Sequence, residues 1–458
     1  MAAAVGRAAA RGIAVVALKL GASPTGSRAA RSHTGSLVGG RDAWRAWARA
    51  AGLLEVTELD HLVETAVHLA RVPALEGSRM AMATSSGGVA VLLADALEPR
   101  GFACAPLAAE TVRRVATLLP PYVTVANPLD ITAGLPDETF GEVLATVARD
   151  PGIDVVVVPL TLATAGGGAA RAQHVIKAAR AAAKPVVVCW PGGKLVREGF
   201  RALDEAGVPL FATVSCCAAA LGAALTFHSV RTRSPRRAPP VVSVEAPEGA
   251  GALPWASAHP LLTGAGLRMA PEVIVRDEVE ARAAAPGLRY PVAVKVLGPL
   301  RRTDIGGVRL GVSTLGELVA AVRALGPLGE SCLVQPMVEG VEVLVGAWRD
   351  PELGPFVMVA PGGVRTELYG ERAMTPAPCD GAMAERLIRE CRALDALLDG
   401  HRGGPSGDRA GLVETITRAA ALAAGLGPRL VALDLNPVIV GAAGTGATVV
   451  DARIVLDR

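Results

Sequence analysis

SRMAMATSSGGVAVLLADALEPRG, residues 78–101, is the segment that indicates the fold class most clearly. A short apolar run is followed by a turn of two serines and two glycines, and then by helical spacing. A strand, a tight turn and a helix in this order predict an α/β fold on a buried parallel sheet. The helix start, with its free N–H groups and dipole, makes Ser85, Ser86, Gly87 and Gly88 candidates for an anion site. An ordinary serine-capped turn is the alternative.

The α/β alternation continues on both sides of this stretch. Residues 41–228 include two β-branched runs, GIDVVVVPLTL and KPVVVCWPGG, separated by a predicted helix, AARAQHVIKAARAAA. Residues 1–40 predict one helix and one strand, half of an α/β unit. Such a half either packs on the neighbouring residues 41–228 or is the remainder of a larger domain, and we favour the second interpretation.

A different composition separates this part from the rest of the chain. Residues 229–254 are rich in Pro, Arg and Gly without lasting periodicity, which predicts a flexible linker. Residues 255–458 are rich in predicted strands, with helices between about 383 and 426 and two closing strands. This pattern predicts an α+β domain.

Composition and charge exclude several classes of protein. Of the 458 residues, 51% are apolar and 19% are charged, which is typical of globular folding. The net charge of +3 is small and the charges are interspersed, so we expect no nucleic-acid partner. No run approaches about 20 apolar residues, so we predict no membrane span. The seven cysteines form no CxxC pair, which favours a reduced, cytoplasmic protein.

Two neighbouring segments of the second domain could bind phosphate. YPVAVKVLGP places Lys295 inside a β-branched strand, where its amine either extends to solvent or reaches a ligand phosphate. RRTDIGGVRLGV adds Arg301 and Arg302 as phosphate ligands and Gly306 and Gly307 for close backbone approach. A hairpin loop with solvated arginines is the alternative.

A third segment pair offers oxygen ligands. LDLNP and VVDARI contain Asp434, Asn436 and Asp451, which converge on one face if the two strands pair. Mg²⁺ uses few protein oxygens and completes its shell with water and phosphate. A simple Asn-Pro turn is the alternative. Together with the lysine strand and glycine loop, these residues favour metal–nucleotide binding.

His33 lies in a small, glycine-rich segment, ARSHTGSLVGG, after an apolar strand. A surface histidine is the plain interpretation. Its place beyond an α/β strand, in a chain with a predicted nucleotide site, favours a second interpretation, a role in catalysis. An imidazole near neutral pKa can accept a phosphoryl group and pass it on.

Together these segments resemble the NDP-forming acyl-CoA synthetases, the ADP-forming acetate–CoA ligase family, which are relatives of succinyl-CoA synthetase. The motifs SHTG, MATSSGG, ANPLDIT, YPVAVKV, VQPMVEG, LDLNP and VVDARI occur in the family's order across almost the whole chain. The resemblance implies a flavodoxin-like, succinyl-CoA synthetase-like parallel-sheet domain followed by an ATP-grasp α+β domain. On this basis residues 1–40 are the remnant of a flavodoxin-like domain with a phosphohistidine loop. Residues 41–228 are the α/β ligase domain, 229–254 the linker and 255–458 the ATP-grasp domain.

The resemblance also implies an acid–thiol ligase reaction, acyl-CoA + ADP + phosphate ⇌ carboxylic acid + CoA + ATP, through an acyl phosphate and a phosphohistidine. The implied ligands are ATP or ADP with Mg²⁺, a CoA thioester and a small carboxylic acid. His33 matches the phosphohistidine, and Ser85 to Gly88 match a helix start that holds it. The implied nucleotide contacts are Lys295, Arg301, Arg302, Gly306, Gly307, Gln335, Pro336, Met337, Val338 and Glu342. The implied metal ligands are Asn436 and Asp451, with Asp434 beside them.

The sequence departs from the family pattern at several points. Arg301 and Arg302 stand where a His-Lys pair is usual, Pro361 interrupts a glycine turn, and Thr375 replaces an arginine. The family's front CoA-binding domain is largely absent. These departures leave two alternatives open: a degenerate regulatory nucleotide-binding protein, or one subunit of a split enzyme with a separate CoA-binding subunit. A carboxylate–amine ligase of the general ATP-grasp type would leave SHTG unexplained. We also expect an oligomer, because residues 1–40 would leave a sheet edge and apolar surface uncovered.

Overall fold

The computed structural model describes residues 1–21, 23–28, 40–72, 75–132, 134–161, 168–232, 239, 242–298, 305–363, 370–400 and 406–458. These residues form two compact units. The first contains residues 1–28 and 51–232, and the second contains residues 40–50 and the described residues from 239 onward. His33, Arg301 and Arg302 lie outside the described residues.

Parallel strands with helices between them build the first unit, which confirms the predicted α/β class. The strands are β1 (Val16–Leu18), β2 (Leu54–Val56), β3 (Arg79–Thr84), β4 (Ala103–Cys104), β5 (Leu129–Asp130), β6 (Val155–Pro159), β7 (Val186–Cys189) and β8 (Leu210–Phe211). Helices that the structure describes in full up to residue 232 are α1 (Ala2–Ala10), α2 (Arg41–Ala51), α3 (Leu59–Arg71), α4 (Gly87–Leu97), α5 (Ala109–Leu118), α6 (Asp137–Val147), α7 (Ala169–Ala181), α8 (Arg197–Glu205) and α9 (Val214–Thr232). All of α2 except its last residue groups with the second unit.

The strand order explains the continuous valine runs. β1 pairs in parallel with β2, and a larger sheet has the order β4-β3-β6-β7-β8, with β5 also on β3. In β6, Val156 and Val158 belong to one core cluster while Val155 and Val157 belong to another. Since successive side chains point to opposite faces, a strand covered on both faces needs apolar residues at every position.

Helix α3 exposes several apolar residues and buries polar ones. Its buried residues are His61, Thr65 and His68, whereas Leu59, Val63 and Val67 are exposed. Among the described residues, neither ring nitrogen of His68 has a hydrogen-bond partner. His68 is 3% exposed and lies beside the Phe211 ring, with centroids 5.5 Å apart. Burial therefore keeps the imidazole neutral and lowers the pKa of His68 to about 4.

We expect His68 to make the first unit sensitive to acid. An unfolded chain takes up a proton on this residue near pH 6.5, whereas the folded chain does so only near 4. The stability linked to His68 is present above about pH 6.5 and is lost as the pH falls toward 4, by about 3 kcal/mol. His68→Leu should flatten this loss in denaturant titrations between pH 7 and 4. His228→Leu, at a partly exposed site on α9, is the control, and an equal flattening there would contradict the assignment.

Two antiparallel sheets form the frame of the second unit. The smaller sheet has the order β10-β13-β11-β12, and the larger has the order β16-β15-β14-β17-β19-β9, with β18 also on β17. The strands are β9 (Gly251–Ala252), β10 (Val273–Val275), β11 (Val292–Leu297), β12 (Val308–Val312), β13 (Ser331–Pro336), β14 (Val341–Asp350), β15 (Gly354–Pro361), β16 (Ala373–Pro376), β17 (Leu430–Val440), β18 (Ala447–Val449) and β19 (Ala452–Leu456). The helices are α10 (Trp255–Gly264), α11 (Glu278–Ala284), α12 (Leu315–Leu325), α13 (Gly381–Glu390), α14 (Arg392–Leu398) and α15 (Arg409–Leu426).

The smaller sheet has two chemically different faces. Val292, Val294 and Val296 of β11 pack in one core cluster with residues of α11 and α12. Leu297 and Leu333, on the other face, join the core of the larger sheet. Because side chains alternate along a strand, Lys295 shares this second face, which looks toward the larger sheet.

The predicted linker overlaps elements at both of its ends. Helix α9 continues to Thr232. Val242 and Val244 pack against the core of the second unit, and β9 pairs with β19. The Arg429 guanidinium donates to the carbonyl oxygen of Pro247 at 2.5 Å. Residues 242–254 are thus part of the second unit, because apolar side chains and backbone pairing hold them there.

Helix α2 packs on the second unit through ion pairs and small side chains. Arg49 pairs with Glu390 of α13 at 3.0 Å, and Asp42 pairs with Arg372 at 3.1 Å. Ala50 packs against the large core cluster. The helix that comes after the His33 segment in sequence is therefore attached to the unit that contains Lys295.

Among the described residues, α9 is the one helix long and apolar enough, by length and composition, to cross a membrane. Its residues Cys217, Ala220 and Leu221 are buried in a core cluster of the first unit.

Candidate nucleotide and metal site

The predicted anion turn lies between β3 and α4 in the first unit. The Ser86 backbone N–H donates to Thr84 Oγ1 at 2.8 Å, and that hydroxyl donates to the Pro159 carbonyl at 2.7 Å. Ser86 is the residue before the helix, but its side chain makes no capping bond. The Asp130 carboxylate lies close to the turn, since a side chain at Gly87 would come 3.0 Å from Asp130 Oδ2. Ser85 to Gly88 thus form one turn, and the missing side chain at Gly87 leaves room for the Asp130 carboxylate.

In the second unit, Lys295 lies near the middle of β11 and is only 6% exposed. Its Nζ donates to Gln335 Oε1 at 2.9 Å and to the Val450 carbonyl at 2.5 Å. The second bond joins the smaller sheet to the segment just before β19. Lys295 therefore does not extend to bulk solvent, which was the alternative for this residue, but points toward the larger sheet.

Three predicted metal ligands share one face of the larger sheet. Asp434 and Asn436 are two residues apart on β17, and the intervening Leu435 is buried in the core on the other face. The Asn436 backbone N–H donates to the Asp451 carbonyl at 3.1 Å, so these two residues lie opposite each other. Because Val450 precedes Asp451, the Lys295 ammonium lies beside the same set.

The electrostatics of this set suit a cation. Asp434 has exposed surface, but the dense protein around it removes water. This desolvation, then the nearby Asp451 charge, raises the pKa of Asp434, and Arg453 opposes the shift. The Asn436 side-chain oxygen is buried without a hydrogen-bond partner among the described residues. Two carboxylates and one unsatisfied amide oxygen fit Mg²⁺, which takes few protein oxygens. The described residues hold no cluster of three or more His, Cys, Asp and Glu that could bind a metal.

The remaining predicted nucleotide contacts lie around the same strands. Gln335 and Pro336 end β13, and the Met337 backbone N–H donates to the Pro291 carbonyl at 2.8 Å. Val338 lies in the short connection between β13 and β14, and Glu342 is exposed on β14. Gly306 and Gly307 directly precede β12, and the Gly307 carbonyl accepts from the Val296 N–H at 2.9 Å. Gln335 is 1% exposed and already bonded to Lys295, so it supports the lysine.

Two of the departures from the family pattern also lie in the second unit. Thr375 is buried in β16 opposite Val357, and Pro361 ends β15 opposite Val343. After Pro361 the turn returns to β14, where the Gly362 N–H donates to the Glu342 carbonyl at 2.8 Å. The backbone contact to β14 is therefore present beside the proline.

Gly362 is expected to tolerate no side chain. A Cβ there would lie 2.6 Å from the Val343 nitrogen and 2.8 Å from the Glu342 carbonyl carbon, both backbone atoms that cannot move alone. Gly362→Ala should destabilise the second unit by about 2–3 kcal/mol in denaturant unfolding. Gly316→Ala, in helix α12 with no atom within 4 Å, should be neutral or slightly stabilising. Equal stability of the two variants would contradict the crowding.

Sequence reasoning missed Glu272, Trp255 and His259. The Glu272 carboxylate accepts from Gln335 Nε2 at 3.1 Å and from Trp255 Nε1 at 2.8 Å, and His259 Nε2 lies 3.7 Å away. No motif marks these positions: the pairing of β10 with β13 brings Glu272 to Gln335, and the packing of α10 brings Trp255 and His259 to Glu272.

Two antiparallel sheets, joined by the bond from Lys295 to the Val450 carbonyl, are the frame of a domain of the ATP-grasp class. Residues 246–456 match the family described as ATP-grasp domain, and residues 1–69 match the succinyl-CoA ligase-like flavodoxin domain. Residues 80–234 match the Ligase-CoA domain. Acetate–CoA ligase [ADP-forming] I of Archaeoglobus fulgidus is 32% identical over 473 residues, which cover 99% of this chain and 67% of that protein. The chain belongs to the ADP-forming acetate–CoA ligase family, so the predicted family and fold class are confirmed.

Two further relatives each cover slightly less than half of the chain. The beta subunit of acetate–CoA ligase [ADP-forming] II of Pyrococcus furiosus is 31% identical over 221 residues, 46% of this chain and 93% of that subunit. A structure of the dinucleotide-forming acetyl-coenzyme A synthetase 1 of Ca. Korarchaeum cryptofilum, in complex with coenzyme A, Ca-AMPCP and HgCl⁺, is 30% identical. It covers 46% of this chain and 95% of its own, with a TM-score of 0.42. The Pyrococcus furiosus relative shows that some family members are divided into separate subunits.

Proposed function

We propose that this chain works in an ADP-forming acyl-CoA synthetase, acyl-CoA + ADP + phosphate ⇌ carboxylic acid + CoA + ATP, and supplies its nucleotide site and its phosphoryl carrier. The observation that carries the proposal is the bond from Lys295 to the Val450 carbonyl, next in the chain to Asp451, which with Asp434 and Asn436 forms an acid–amide set in the second unit. The Lys295 bond to the Val450 carbonyl places a positive charge beside an acid–amide set, as phosphate and a divalent cation together require.

In this proposal the nucleotide lies between the two sheets of the second unit. Lys295 binds phosphate oxygens, the backbone of Gly306 and Gly307 allows close approach, and residues 336–338 with Glu342 contact the nucleoside. Arg301 and Arg302 add positive charge for phosphate. Asp434, Asn436 and Asp451 would hold Mg²⁺, which would neutralise the phosphate charge when bound. The buried Asn436 oxygen without a partner among the described residues supports this assignment.

His33 is proposed as the carrier. Its imidazole nitrogen attacks the phosphorus of an acyl phosphate, so that a P–N bond forms, the P–O bond breaks and the carboxylate leaves. An oxygen of the ADP β-phosphate then takes the phosphoryl group and restores the imidazole. Residue 33 is eight residues before Arg41, so chain length alone keeps it within about 28 Å of the start of α2. The attachment of α2 to the second unit supports delivery to the nucleotide.

The first unit is proposed to hold the carrier at its other stage. No side chain caps the start of α4 at the Ser85 to Gly88 turn, and uncapped N–H groups at a helix start favour a phosphoryl group. Asp130 beside that turn can hold the imidazole N–H of the carrier by a charge-assisted bond.

A CoA-binding partner is proposed to cover helix α3. Leu59, Val63 and Val67 form an exposed apolar stripe at helical spacing, and exposed stripes of this kind mark interfaces. The separate subunits of the Pyrococcus furiosus relative support such a division.

All seven cysteines are free, which supports a reduced, cytoplasmic setting.

ATP formation from acyl-CoA, ADP and phosphate, measured with and without added CoA-binding subunit of a divided relative, tests the proposed function. A series of short-chain and aromatic acyl-CoA esters covers the acyl group. We expect ATP to form in at least one pairing and to depend on Mg²⁺. If nucleotide binds but no pairing forms ATP, the regulatory alternative is favoured and the proposal fails.

A further inference from the structure

Three polar side chains form a row on the smaller sheet, across β11, β13 and the residue before β10. Lys295 on β11 donates to Gln335 Oε1 on β13 at 2.9 Å, and Gln335 Nε2 donates to Glu272 Oε2 at 3.1 Å. Glu272 directly precedes β10, whose Val273 pairs with Val334, so Glu272 and Gln335 are cross-strand neighbours. The row therefore runs from a carboxylate through an amide to an ammonium group.

Glu272 is itself held from the side of α10. Its other oxygen, Oε1, accepts from Trp255 Nε1 at 2.8 Å, and His259 Nε2 lies 3.7 Å from it. The rings of Trp255 and His259 are 5.6 Å apart, and the Glu272 side chain is 15% exposed. With one oxygen on the indole and the other on the amide, the carboxylate has a defined position.

This arrangement determines which way the Gln335 amide points. An amide has nearly the same shape when it is turned over, but its two ends have opposite hydrogen-bonding character. A carboxylate only accepts, so it selects the NH₂ end of Gln335 and leaves Oε1 for Lys295. Without Glu272, Gln335 Nε2 has no acceptor, and the amide keeps its orientation only through Lys295 itself. A buried NH₂ group without a partner is costly, so the amide would shift to find one and displace the Lys295 ammonium with it.

We propose that Glu272 is a positioning residue for the nucleotide site, which acts through Gln335 to hold the Lys295 ammonium where a nucleotide phosphate meets it. This inference rests on the proposed function, because it takes Lys295 as a phosphate contact. Trp255 and His259 act one step further out, by fixing the Glu272 carboxylate.

Calorimetric titration of the full chain with Mg-ADP tests the proposal. E272L removes the acceptor and should weaken binding by roughly tenfold or more. E272Q retains a carbonyl that can accept from Gln335, so it should restore most of the affinity and lose about threefold. E330Q, at an exposed glutamate just before β13, should bind as the unchanged chain does.

The same titration in a K295M background separates a role through the lysine from a role in folding. If Glu272 acts through Lys295, E272L causes no further loss there. An equal loss in both backgrounds, or full affinity of E272L beside a weakened K295M, overturns the proposal. If K295M itself binds Mg-ADP normally, the proposed function fails first, which is a distinct result. Thermal unfolding checks each variant, and the E272Q comparison serves if E272L does not fold.

Discussion

Lys295→Met is expected to weaken Mg-ATP binding by roughly a hundredfold. The ammonium is buried on β11 and bonded to Gln335 Oε1 and the Val450 carbonyl. Because little water reaches this position, water cannot take over the role of the ammonium as a partner for the nucleotide phosphate. A charge-assisted hydrogen bond contributes about 1.5–3 kcal/mol, and about 2.7 kcal/mol corresponds to a hundredfold change in affinity. Methionine has a similar length without charge, so the loss reports the ammonium rather than a cavity.

Fluorescence or calorimetric titration measures this effect. Lys177→Met, at an exposed position on α7 of the first unit, is the matched control and should leave affinity unchanged. An affinity for Lys295→Met within a factor of two of the unchanged chain would place the nucleotide elsewhere.

Asp451→Asn is expected to change stability in opposite directions with and without Mg²⁺. Desolvation by burial and then the Asp451 charge raise the pKa of Asp434, so the two carboxylates repel each other when no cation is present. Removal of one charge should therefore raise the melting temperature of the second unit in chelator. The same change removes a proposed Mg²⁺ ligand. The apparent affinity for Mg-ADP, derived from the rise in melting temperature with ligand concentration, should therefore fall at least tenfold.

Thermal unfolding in EDTA and in Mg-ADP, with the magnesium concentration varied, checks both signs. Asp457→Asn, an exposed acid just after β19, should follow the unchanged chain in both conditions. A destabilised Asp451→Asn in EDTA with normal Mg-ADP stabilisation would assign the residue a purely structural role, through its bond to the Ala452 N–H.

Local patterns predicted the features that depend on neighbouring residues. The valine runs of β6 and β7 predicted a doubly covered parallel sheet, because every position must be apolar there. The serine–glycine turn predicted the start of α4. The LDLNP and VVDARI segments were predicted to converge if their strands paired, and the pairing of β17 with β19 brings them together.

Features that depend on distant partners were not predictable in this way. Helical spacing in residues 41–51 indicates a helix but not that it packs on the second unit through Arg49 and Asp42. Glu272 reaches Gln335 only through the register of β10 on β13, some sixty residues apart in sequence. Residues 242–254 have a linker's composition, yet Arg429 and β19 hold them, and neither is visible from the segment itself.

Transfer of the γ-phosphoryl group from labelled ATP to the purified chain, with Mg²⁺ and beside His33→Ala, is the decisive test of a nucleotide site that serves a histidine carrier. We expect an acid-labile, base-stable label on the unchanged chain, its loss in His33→Ala, and return of the label to ADP as ATP. A chain that binds ATP normally but takes up no label, or that is labelled equally with alanine at residue 33, would refute the carrier role of His33.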